Sequence, residues 1–190
     1  MSAILPNSTN LTANRQQRRA AGGVFVYQIP PEVQANSLKT GFLIAASPTN
    51  VRPGRALQYA PGQTDVHQNV SSITGTFTAP LFAGVATYSH QDRFNRTPNY
   101  FGGTATNINI FEWPKGDYLA RVVDEEVYFE TSLAVAPARN AIVSILPDGR
   151  VGAAGAGVDL LATQAVYTGL IEIGVEGANW AAVQIKGKLV

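Results

Sequence analysis

Few side chains in this 190-residue sequence stand where they could do chemistry. The two histidines, His67 and His90, each have an aspartate two positions away, Asp65 before the first and Asp92 after the second. Residues two apart on a strand share a face, so each pair would offer a metal one imidazole and one carboxylate. A zinc site needs three or four such ligands, and no further ligand stands at metal spacing. Ser89-His90-Gln91-Asp92 holds the three residue types of a hydrolytic triad. Triads are assembled in space by the fold, however, and there is no Gly-x-Ser-x-Gly elbow to expose a serine.

The remaining candidates are no stronger. Asp124-Glu125-Glu126 places three acids together, as paired carboxylates would require. Between two β-rich runs the same triplet reads as a solvated hairpin turn or half of an interface ion pair. Gly152-Ala-Ala-Gly-Ala-Gly lacks the Lys-Ser/Thr of a phosphate loop. There is no cysteine, which excludes disulfides, thiolate metal sites and a cysteine nucleophile. The expectation is a chain without catalysis, metal or cofactor.

Arg15, Arg18 and Arg19 form the one basic cluster. Tight nucleic-acid binding wants a wider basic face with stacking aromatics. Three planar guanidinium forks suit an acidic protein surface, so these arginines are assigned to partner binding and no direct nucleic-acid contact is expected.

Charged residues make up 14 % of the chain, against about 25 % in ordinary domains. A surface so poor in charge suits coverage by partners. The charge is also divided. Residues 1–110 hold eight Lys/Arg against three Asp/Glu, and residues 111–190 hold six against ten. Opposed halves suit head-to-tail or self-complementary contacts. No apolar run approaches the ~20 residues of a membrane helix, and Met1 to Asn14 lacks a basic-then-apolar signal layout. The Asn-x-Ser/Thr matches at Asn7, Asn10, Asn69 and Asn95 are then chance matches in an Asn/Thr-rich chain.

The elements that would position these residues are short. Residues 1–23 contain little that can bury a core and read as an extended arm, mobile until it meets a partner; residues 24–190 form the β-rich domain. Val24–Ile29 reads as a strand stopped by Pro30-Pro31. Further strands are expected over 41–46, 55–60, 81–88, 119–123, 127–133, 141–146, 166–173 and 180–186, with a weak one inside 64–78. Pro147-Asp148-Gly149-Arg150 has the turn chemistry of a hairpin, with proline at fixed negative φ and glycine where positive φ is needed. No stretch carries a 3.6-residue apolar stripe. Nine or ten short strands separated by turn residues predict an all-β barrel or sandwich-like domain. Residues 91–107 read as a long polar loop of the functional kind. Phe94, Tyr100, Phe101, Phe111 and Trp113, in or beside it, are candidate anchors for a partner.

The order of motifs resembles one family. Gly54-Arg-Ala-Leu-Gln-Tyr is followed by Phe82-Ala-Gly-Val-Ala-Thr-Tyr and Lys115-Gly-Asp-Tyr-Leu-Ala-Arg-Val-Val. Val127-Tyr-Phe-Glu and Ala141-Ile-Val-Ser-Ile-Leu-Pro-Asp-Gly-Arg come next. Over residues 41 to 190 this resembles the cement, or decoration, proteins on the heads of tailed bacteriophages. It departs from their pattern at Asp124–Glu126 and at Ala138-Arg139-Asn140. The resemblance implies a homotrimer on the outside of the virion, bound to the major capsid protein and bracing the shell against packed DNA, with no cofactor. The rival expectations are a tail, baseplate or connector subunit, and a carbohydrate-binding β-sandwich using Tyr100, Trp113 and Trp180 as platforms. A hydrolase using Asp92 and His90 ranks last.

Overall fold

A computed structural model describes residues 38–52, 54–60, 69–87, 113–175 and 178–186. Strands β1 (Leu38–Leu43), β2 (Ala56–Tyr59), β3 (Asn69–Ser72), β4 (Phe82–Thr87) and β5 (Tyr118–Val122) close into a barrel in the order β1-β3-β2-β4-β5. The barrel closes where β1 pairs antiparallel with β5, Leu38 opposite Val122 and Phe42 opposite Tyr118. The pair β1–β3 is parallel.

A second sheet takes the rest of the chain. It comprises β6 (Glu125–Thr131), β7 (Ser144–Ile145), β8 (Val151–Gly152), β9 (Val158–Asp159), β10 (Ala165–Val175) and β11 (Ala178–Ile185), in the order β10-β11-β6-β8-β7-β9. It curls. Ile142 bridges to Val166, and Asn140 N–H donates to Tyr167 O at 2.8 Å, so the residues leading into β7 lie along the outer side of β10. The fold is therefore all-β, with a barrel and a second sheet, and the described residues hold no α-helix beyond a 3-10 turn at Ala79–Leu81.

Alternation of side chains sorts the core. Leu43, Leu57, Tyr59, Val70, Ala83, Ala86 and Leu119, drawn from all five barrel strands, fill the barrel together with Val51 and Trp113. A larger cluster joins the two sheets. Ala56, Ile73, Phe82, Val85 and Val122 from the barrel side meet Val127, Phe129, Tyr167, Val183 and Ile185 of the second sheet. Val85 and Val122, paired across β4 and β5, form part of the barrel's contribution to this seam. Gly84 permits their approach: its φ is +101°, and a Cβ there would lie 2.2 Å from Val122 O, a place only glycine can occupy.

The Pro147–Gly149 turn has the expected form. Ser144 pairs with Gly152 and Ile145 with Val151. Gly149 N–H donates to Leu146 O at 2.9 Å, and Gly149 takes φ +82°. The acidic triplet does not form a hairpin, which corrects the reading of Asp124–Glu126. β5 already has β1 and β4 as its two neighbours, so no edge is left for β6. The chain instead steps from barrel to second sheet through Val123 and Asp124. Glu125 and Glu126 belong to β6, opposite Ile185 and Gln184.

Candidate interaction surfaces

The seam between barrel and sheet carries a network of charged side chains. Arg55, just before β2, meets Glu130 of β6 fork to fork, Nε to Oε2 at 2.9 Å and Nη2 to Oε1 at 2.8 Å. Its Nη1 donates to Asp148 O at 2.8 Å and lies 3.4 Å from Asp148 Oδ2. Arg150 holds the same carboxylate, Nε to Oδ2 at 2.6 Å and backbone N–H to Oδ1 at 3.0 Å. Partial burial pushes the Asp148 carboxyl upward, but the backbone and side-chain hydrogen bonds from Arg150 and the charge of Arg55 outweigh it and hold the group below its ordinary value. Backbone bonds run alongside: Glu130 N–H to Gly54 O at 3.0 Å and Ala56 N–H to Gly149 O at 2.8 Å.

A cleft of about 380 Å³ opens beside this network, lined by Asn50, Arg52, Arg55, Ile73, Pro147 and Asp148 among others. Arg55 and Asp148 already answer one another there, so their charges serve to fasten the two sheets. A second polar arrangement is buried in the barrel. Arg121 Nη1 donates to Ala83 O at 2.5 Å, and its guanidinium sits 5.3 Å over the Tyr59 ring. A carbonyl and an aromatic face thus hold a charge that burial alone would penalise. In the second sheet, Tyr167 Oη donates to Gly152 O at 2.7 Å. Burial raises its hydroxyl well above the ordinary tyrosine value, against a smaller opposing hydrogen bond with Thr131, so it stays a donor.

The residues singled out in the sequence are distributed unevenly. Arg15, Arg18, Arg19, Phe94, Tyr100, Phe101 and Phe111 lie outside the described residues, as do His67, His90 and Asp92. Trp113 is described, and it is 1 % exposed. Its backbone pairs with Val51 in both directions, at 2.7 and 3.1 Å, and its ring packs in the barrel interior. It therefore anchors its own barrel and presents no ring to a partner. Trp180, a candidate sugar platform, is 5 % exposed and packs with Tyr128 and Ala182. Among the described residues, no three His, Asp or Glu side chains gather as a metal-holding group.

Sequence reasoning missed the exposed apolar residues. Tyr118 on the barrel is 59 % exposed, its ring centroid 5.1 Å from that of Phe42. Val135 is 74 % exposed in the run Ala134-Val135-Ala136-Pro137-Ala138. The signal available for Val135 was a stretch of apolar residues with no charge and no strand period.

No family model matches the chain, and no curated protein matches it. Among solved structures, a chain described as "The capsid of Myoviridae Phage XM1" is 18 % identical to it. The match covers 87 % of this chain and 99 % of that one, with a TM-score of 0.45.

Proposed function

We propose that this chain is a structural component of a bacteriophage virion, a cement protein that binds the outside of the major capsid shell and stabilises the head. The observation that carries the reading is the character of the body itself. It is a tightly cored all-β unit whose exposed loops include uncharged apolar runs, as suits a part made to be covered by other proteins. The sequence resemblance over residues 41 to 190 supports the same reading. In it the chain acts mechanically, without catalysis or cofactor, as a homotrimer. Residues 24–190 supply the capsid-binding domain, and residues 1–23 supply an arm whose Arg15, Arg18 and Arg19 pair with acidic groups on the shell.

The test is occupancy. Heads stripped of surface proteins are mixed with the chain and imaged by electron cryomicroscopy, and their disruption on heating is followed by DNA release. Ordered density on the outer shell and a higher release temperature are expected. Absence of added density on heads would overturn the cement reading, and binding to tails alone would place the chain elsewhere in the particle.

A further inference from the structure

Two neighbouring loops at one end of the second sheet carry no charged side chain. Residues 131–138 read Thr-Ser-Leu-Ala-Val-Ala-Pro-Ala, and residues 151–158 read Val-Gly-Ala-Ala-Gly-Ala-Gly-Val. They leave the sheet side by side, because β6 and β8 are parallel with Thr131 opposite Val151. Ser132 N–H donates to Val151 O at 3.0 Å, and a Cβ on Gly152 would lie 3.2 Å from Ser132 Oγ. Ala134, Val135, Ala136, Ala153, Ala154 and Ala156 are all exposed. Of the two acids that flank these stretches, Glu130 is held by Arg55 and Asp159 turns its Oδ1 onto Gly155 N–H at 2.8 Å. An exposed run of apolar residues on a folded body calls for an occupant.

The occupant is indicated by charge. Leaving out the buried Arg121 and the internal network of Arg55, Glu130, Asp148 and Arg150, the described residues of the barrel up to Val122 keep three Lys/Arg and one Asp, whereas those of 123–186 keep two Lys/Arg and five Asp/Glu. The division seen along the sequence is thus a division between the two units of the fold. Where copies of one chain meet about a rotation axis, each residue near the axis faces its own equivalent, so any charge there meets a like charge. Away from the axis, a cyclic arrangement sets one flank of each copy against the opposite flank of the next. A charge-free surface suits the first place. A basic barrel beside an acidic sheet suits the second.

We infer that the charge-free end formed by residues 131–138 and 151–158 is the surface at which copies of this chain meet around a rotation axis, with the barrel of each copy set against the second sheet of its neighbour. The inference rests on the self-associating cement reading and names the surface that reading leaves open.

Sedimentation velocity of the full chain at tens of micromolar tests it, on the unaltered protein and on Val135→Asp, Ala154→Asp and Tyr118→Asp. All three sites are exposed, and circular dichroism checks that each variant keeps its fold. The expected result is a closed oligomer for the unaltered chain and Tyr118→Asp, and loss of at least nine-tenths of it for Val135→Asp and Ala154→Asp. Unchanged oligomers in both loop variants would overturn the inference, as would dissociation by Tyr118→Asp alone. A monomeric unaltered chain would overturn it too. Head binding is measured separately, so a chain that coats heads as a monomer would end this inference and the homotrimer with it, and leave attachment to the outer shell in place.

Discussion

Arg55 and Glu130 stand 75 residues apart in the chain and meet through two hydrogen bonds of 2.9 and 2.8 Å. They join the barrel to the second sheet at the place where Gly54 and Glu130 also share a backbone bond. Both side chains are mostly shielded from water. A bidentate pair in such a setting is directional, and either partner left alone keeps a poorly hydrated charge.

Arg55→Ala is therefore expected to lower stability by about 2 kcal/mol, read from the midpoint and slope of urea unfolding. Arg55→Lys should recover less than half of that loss, because an ammonium cannot reproduce the planar fork. Equal stability of Arg55→Ala and the unaltered chain would show that the pair contributes nothing.

Gly84→Ala should be far worse. The added Cβ would collide with Val122 O, and the positive φ adds its own cost. A loss above about 3 kcal/mol, or no soluble folded protein, is expected. A melting temperature within a few degrees of the unaltered chain would contradict the close approach of β4 and β5.

Trp113→Ala tests the assignment of that ring to the barrel interior. Removing a fully buried tryptophan costs about 3–5 kcal/mol, a large part of the total in a domain of this kind. Val135→Ala, by contrast, should change stability by less than about 0.5 kcal/mol because its side chain is exposed. The two variants are compared by thermal melts followed with far-ultraviolet circular dichroism.

How much of this was legible in the sequence depends on how local each feature is. The Pro147–Gly149 turn was legible because its φ requirements are written in proline and glycine themselves. The strands over 55–60, 81–88, 127–133 and 180–186 were legible from β-rich runs between turn residues. Partner choice was not. Whether β5 turns back onto β6 or crosses to another sheet depends on β1 and β4 having taken both of its edges, which is a property of the closed barrel. The Arg55–Glu130 pair was invisible for the same reason. Trp113 looked like a surface anchor because an aromatic beside a polar loop gives no sign of which way its ring packs.

Stability should depend on acid through Asp148. Its carboxyl is held below the ordinary value in the folded chain. The folded state therefore binds its proton less readily than the unfolded state does. The resulting stabilisation is present above the unfolded value, near 4, and is lost as pH falls through the lower folded value. Because the side chain is nearly half exposed, the effect is modest, about 1 kcal/mol or less. Asp148→Asn should reduce the fall in melting temperature between pH 5 and pH 2. An identical acid profile in the variant would assign that fall to other carboxylates.

The closure of the barrel also sets a schedule for synthesis. β1 cannot gain its β5 partner until Val122 has left the ribosome, and at about 5–20 residues per second that is roughly 4–17 s after Leu38. Through that interval β1 has one edge without its final partner, and nascent chains on neighbouring ribosomes offer identical edges. Slowed translation between β4 and β5 would lengthen the wait and raise the insoluble fraction, whereas a slowdown after Val122 would leave the yield of barrel unchanged.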